Sequence, residues 1–177
     1  MFLPLMVTSL ITNYTKPSYR VGSKLPKRME KNYRKMDPAR GDERTYMIDQ
    51  QFNGPQALYN IFPGTRFLNR GQRSPWTYLN NAIAKFVHDN VDAYVYLTVI
   101  LSYDFEELYQ SAINEESPKL NVRPNAIGVN VRFYNNEHEL TDDKGVPLDD
   151  RPNPYENMFF NNNADHCCEL DFTDYWN

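Results

Sequence analysis

Asp165, His166, Cys167 and Cys168 form the densest run of possible metal ligands and nucleophiles in the 177-residue chain. Their spacing argues against that chemistry. Neighbours in an extended chain point to alternate sides, and D-H-C-C lacks the separation of roughly two to four residues with which cysteines close on zinc. Vicinal cysteines also bridge each other only with strain, so two reduced thiols are expected, with a disulfide to another chain as the alternative. A second group is cationic. Lys24, Lys27, Arg28, Lys31, Arg34, Lys35 and Arg40 interleave with Tyr33 and Met36, a mixture that suits a nucleic-acid backbone. The same stretch can instead be a solvated loop whose charge meets the acidic half of the chain, and that reading is preferred.

The elements that would position chemistry lie between Arg44 and Asn80. This stretch holds a short strand expected over Tyr46 to Ile48, a turn at Asn53-Gly54-Pro55, an extended connection, and a helix start at Ser74-Pro75. Serine accepts a hydrogen bond from the first free backbone N–H groups, and proline suits the first helical position. Trp76, Leu79, Ile83 and Phe86 then recur at three- and four-residue spacing, so a helix over Pro75 to His88 presents them to a core on one face.

Asn60-Ile61-Phe62-Pro63, then Leu68-Asn69-Arg70-Gly71, then Trp76-x-x-Leu79 resembles the DNA/RNA non-specific endonucleases of the ββα-metal group, whose pattern runs N-[LI]-x-P, L-N-[QR]-G, W-x-x-L-E. Gly54-Pro55 fits as well, and the family's D-R-G-H aligns with Glu43-Arg44-Thr45-Tyr46. The resemblance implies that the histidine position deprotonates the attacking water. It further implies that Asn69 holds a single divalent metal, that Arg44 contacts phosphate, and that the helix-glutamate position supports the metal's water shell. Tyr46 stands at the base position and Asn80 at the glutamate position. A phenol with an ordinary pKa near 10 is a poor base at neutral pH, and an amide carries no charge. Gln72 and Arg73 lengthen the step to Trp76. The expectation is a retained fold with abandoned chemistry: Arg44, Tyr46, Asn69 and Asn80 as vestigial positions, no cofactor, and Mg2+ at Asn69 only if the chain is a working nuclease.

Composition bounds the rest. One domain with a single core is expected at this length, divided into an N-terminal arm (1–40), a nuclease-like core (41–140) and an acidic, aromatic C-terminal arm (141–177). The formal net charge is -4 and the mean hydropathy -0.71. Up to Pro75 there are thirteen Lys/Arg against five Asp/Glu, and beyond it six against eighteen. Such polarity can neutralise itself in the fold, hold a polyanion, or bring one copy onto another. The thirteen tyrosines supply apolar area with a hydroxyl, a composition suited to contact surfaces.

Val91 to Tyr103 reads as the strongest strand, with Ala93, Val95, Leu97, Val99 and Leu101 on one face and Tyr94, Tyr96, Thr98 and Ile100 on the other. Both faces are apolar enough to be covered. Ala126 to Tyr134 alternates likewise and is expected to pair with it antiparallel. Phe105 to Ile113 suits a helical turn. Met1 to Ile11 is too short to span a bilayer and lacks a basic leader, so a buried or partner-bound strand and an intracellular, cytoplasmic protein without membrane attachment are expected. The tail ending Asp174-Tyr175-Trp176-Asn177 is expected to be held by contacts, most simply intermolecular ones.

The fold class expected is α+β: an antiparallel sheet with a packed helix, built on a degenerate ββα-metal nuclease-like core with extended arms. The first functional expectation is a non-enzymatic structural protein that partners itself through its termini and Tyr-rich surface. In tyrosine content and acidic balance it is similar to the insect-virus occlusion-body matrix proteins, the polyhedrins. The alternatives are a metal-dependent nuclease using Tyr46 and Asn69, or an inactive module that binds nucleic acid weakly.

Overall fold

A computed structural model describes residues 5–13, 24–34, 36, 41–69, 74–104, 106 and 123–162. The Asp165 to Cys168 cluster, Arg70 to Arg73, nearly all of the turn proposed at Phe105 to Ile113, and the C-terminal tail lie outside these residues.

The chain is α+β. Strands β1 (Met6–Thr12), β4 (Tyr94–Ser102), β5 (Ala126–Tyr134), β6 (Leu140–Thr141) and β7 (Met158–Asn161) form one antiparallel sheet, and β2 (Glu43–Tyr46) pairs with β3 (Ile61–Gly64) in a second. The sheet runs β1-β4-β5, and β6 and β7 share the far edge of β5, at Phe133–Tyr134 and Ala126–Val129 respectively. Between the two sheets in sequence come helices α1 (Lys27–Arg34), α2 (Arg66–Asn69) and α3 (Pro75–Asp89).

The β4–β5 pairing is antiparallel as expected, in the register Val95↔Phe133 to Leu101↔Ile127. Period-two alternation turns Val95, Leu97, Val99 and Leu101 inward with Ile127, Val129, Val131 and Phe133, where they join Trp76, Leu79, Ile83 and Phe86 of α3 in one core. Phe86 meets Phe133 edge-on at 4.9 Å and Trp76 meets Phe160 at 6.0 Å. Helix α3 starts where Ser74 and Pro75 place it, with Ser74 Oγ accepting from the Thr77 amide.

Three expectations change. The outer face of β4 is not covered as its apolar character suggested: Tyr96 and Ile100 are 44% and 43% exposed, and Met6 and Leu10 of β1 open onto the same side. The strand expected over Tyr46 to Ile48 lies instead at Glu43–Tyr46, because Asn60 replaces the next rung of the ladder. Its Oδ1 accepts from the Ile48 amide at 2.8 Å and its Nδ2 donates to the Ile48 carbonyl at 2.9 Å, so the fully buried side chain stands in for a strand neighbour. The basic stretch is partly helical rather than a loop, and Tyr33 and Met36 pack with Leu25 and Ile61 in a second small core.

Candidate active site

The second sheet and α2 carry the positions singled out from the sequence. Alternation along β2 sends Arg44 and Tyr46 to one face and Glu43 and Thr45 to the other. Ile61, opposite Tyr46, belongs to the small core beside α1, whereas Phe62, opposite Thr45, belongs to the main core. The hairpin is therefore covered on both sides.

Asn69 ends α2, half-buried, and its Nδ2 lies 3.3 Å from Glu43 Oε2 and 3.4 Å from the Arg44 carbonyl. Thr77 Oγ1 of α3 donates to the Asn69 carbonyl at 3.2 Å and so ties α2 to the helix start. Arg44 extends toward α1, where its guanidinium lies 3.2 Å from Glu30 Oε2, and Arg34 lies 3.5 Å from the other oxygen of Glu30. Glu30 of the basic stretch thus faces one cation of that stretch and the arginine of β2.

Tyr46 packs against the Leu25, Tyr33, Met36 and Ile61 cluster. Burial pushes its phenol above the usual value, and the nearby carboxylates of Asp49 and Glu30 add to this, against lowering by Arg44 and a hydrogen bond with Gln50. The shift runs opposite to what a base needs. Asn80 is buried in α3 with its Nδ2 donating to the Trp76 carbonyl at 2.9 Å, and its Oδ1 has no hydrogen-bond partner. Among the described residues, no hydrogen bond joins Asn69 to Tyr46 or to Asn80.

A hard divalent cation needs several convergent oxygens, commonly with carboxylates among them. Among the described residues no group of three His, Cys, Asp or Glu gathers to hold a metal. The Asn69 amide turns a donor toward the nearest carboxylate, and the helix offers a neutral amide at Asn80. The carboxylate that the family pattern places on this helix is a neutral amide here.

The sequence pattern singles out Arg44, Tyr46, Asn69 and Asn80 and says nothing of most of the residues that surround them. Glu43 entered only as the residue aligned with the motif's aspartate, and Glu30 only as a charge. The buried Asn162, which accepts from the Thr65 amide at 2.8 Å and donates to the Pro63 and Pro124 carbonyls at 2.9 and 2.7 Å, lies almost a hundred residues from the hairpin it grips. No described helix is long and apolar enough to cross a membrane.

Comparison with known structures finds a protein described as "extracellular nuclease", 16% identical, with a TM-score of 0.55 over 92% of this chain and 79% of that one. A second, "extracellular endonuclease", is 15% identical with a TM-score of 0.52 over 78% of this chain and 60% of the other. These likenesses extend to the fold. No curated protein sequence matches. The model of the DNA/RNA non-specific endonuclease family matches residues 13–119, more than half of the sequence and the whole of the β2, β3, α2 and α3 unit, and the chain belongs to that family.

Proposed function

We propose that this is a non-cleaving member of the family, in which the nuclease fold has become a scaffold for association with its own kind. The observation that carries the reading is the pair of substitutions at the catalytic positions in their settings: a phenol whose ionisation is opposed by burial at Tyr46, and a neutral, buried amide at Asn80. Without a group that accepts a proton near neutral pH, water is not activated there.

Two further features favour association over nucleic-acid binding. Arg34, Arg44, Arg123 and Arg132 face Glu30, Asp42 or Glu156, which leaves fewer cations to displace counterions from a phosphate backbone. Leu5, Met6, Ile100 and Phe159 are exposed on or beside the outer face of the main sheet, and β1 is an edge strand without a single charged residue, the kind of edge that pairs with another chain. The extent of association, from dimer to the lattice of a matrix protein, is read by experiment.

The test combines digestion of plasmid and RNA with Mg2+ or Mn2+ across a pH range and sedimentation of the purified chain. No cleavage and a concentration-dependent oligomer are expected. Cleavage abolished by Tyr46→Phe or Asn69→Ala would restore the nuclease reading. A monomer that binds nucleic acid tightly with a steep salt dependence would favour the inactive binding module.

A further inference from the structure

A pocket of about 360 Å³ opens where the end of β1 meets the start of β4, on the far side of the main sheet from α3. Leu10, Asn13, Asp92, Tyr94, Tyr96 and His138 line it. We propose that it is a binding site for a guanidinium group, presented either by a small molecule or by an arginine side chain of a protein partner.

The walls are aromatic and held in place. Tyr94 stacks on Tyr134 with centroids 5.0 Å apart and planes at 11°, meets Tyr96 edge-on at 5.7 Å, and shares a hydrogen bond of 3.1 Å between its hydroxyl and His138 Nδ1. Tyr96 also meets Tyr134 edge-on at 5.9 Å. These contacts fix the rings before any ligand arrives, and little side-chain freedom remains to be lost on binding.

The polar groups at the pocket select the ligand's charge. Asp92 brings a carboxylate to the rim, and the neighbouring turn carries exposed Glu137 and Glu139. Aromatic faces present their negative quadrupole to a ligand above them. Asn13, which lines the pocket, carries a buried Oδ1 acceptor without a hydrogen-bond partner. An anion would face Asp92 and the ring faces together, and a purely apolar group would leave the Asn13 acceptor unmet. A quaternary ammonium has no N–H to give. A guanidinium has a flat face for Tyr96 and N–H groups in its plane for Asp92 and Asn13 at once, which a lysine ammonium does not match. The volume exceeds that of the planar head and leaves room for an aliphatic stem along Leu10.

Titration calorimetry with the blocked peptide Ac-Gly-Arg-Gly-NH2 tests this, beside agmatine, the citrulline and lysine versions of the peptide, and oligothymidylate. Saturable binding of the arginine peptide is expected, absent for citrulline and weaker for lysine. Tyr96→Ala removes the exposed stacking surface and is expected to weaken binding about threefold to fivefold, the range of a solvent-exposed cation–π contact. Asp92→Asn keeps a residue tolerant of the positive φ of 60° at this position and is expected to weaken it several-fold, with the loss shrinking as salt rises. Agmatine binding as tightly as the peptide assigns a small molecule, and preference for the peptide assigns a protein's arginine. Equal binding of the citrulline peptide, insensitivity to both substitutions, no saturable heat, or oligothymidylate binding lost in Tyr96→Ala would each overturn the proposal. Cleavage assays on the same samples keep this result separate from the reading of the nuclease positions.

Discussion

Replacing Asn162 by alanine is expected to loosen the joint between the two sheets. The side chain is fully buried, and its amide serves three backbone groups: the Thr65 amide at the start of α2, the Pro63 carbonyl at the end of β3, and the Pro124 carbonyl just before β5. Its own amide donates to the Asn125 carbonyl at 2.9 Å and survives the substitution. A net hydrogen bond contributes about 1 kcal/mol, and a buried group left unpaired costs about 1–3 kcal/mol, so a loss of about 3 kcal/mol is expected after some water enters. With a urea m-value of about 2 kcal/mol/M, the unfolding midpoint falls by about 1.5 M at unchanged slope. Hydrogen exchange at Thr65, whose acceptor is removed, should accelerate beyond the global change.

Asn162→Asp sharpens the test. A carboxylate still accepts from Thr65 but turns its second oxygen on two carbonyls, so the folded state favours the protonated acid and raises its pKa. A raised carboxyl pKa means that the folded chain binds more protons than the unfolded one between the two values, and stability falls as pH rises through that window, starting near the ordinary aspartate value of about 4. Asn162→Asp should therefore lie nearest the parent chain in acid and diverge toward neutrality. An alanine variant within about 0.5 kcal/mol of the parent, the scale of an ordinary surface change, or an aspartate variant that gains stability with pH, would refute the account.

Gly54→Ala drives a Cβ into the Ile48 carbonyl oxygen, whose group Asn60 already grips; a loss of about 2 kcal/mol and a melting temperature lower by about 4–8 °C are expected, and an unchanged melt would sink the reasoning. Asp42 receives Nε and Nη2 of Arg123 at 2.8 and 3.1 Å with 3% of its side chain exposed, so Asp42→Asn is expected to cost about 3 kcal/mol in chemical denaturation. Burial raises the phenols of Tyr33, Tyr103 and Tyr155, the last also through Asp143. Phenolate absorbance should show these three resisting ionisation as pH passes the ordinary phenol value of about 10, and stability should fall as pH rises past that value toward their raised ones, because only the unfolded chain releases those protons. If all thirteen tyrosines ionise together with the fold intact, this assignment fails.

Local chemistry was legible in the residues. Ser74-Pro75 started α3, the Asn53-Gly54 turn formed with Asn53 at a left-handed φ of 59°, and the alternation of β4 and β5 gave their inward faces. Each depends on a hydrogen bond or periodicity within a few neighbours, which a sequence displays directly. The nuclease-like pattern was legible for the same reason, since its short motifs lie within forty residues. Period-two alternation could not say that the outer face of β4 stays open, because coverage depends on which elements the chain brings to that side.

The phenol at Tyr46 and the amide at Asn80, the split of charge and the excess of tyrosine are properties of the residues alone, and the sequence by itself determined them. Tertiary structure decided what those residues face. It set Glu30 against Arg44, turned the Asn69 amide to Glu43, packed Tyr46 beside α1 so that burial opposes its ionisation, and drew Asn162 back to Thr65. A side chain's partners and its exposure to water are set by segments distant in the chain, and these in turn set its charge state and its hydrogen bonds.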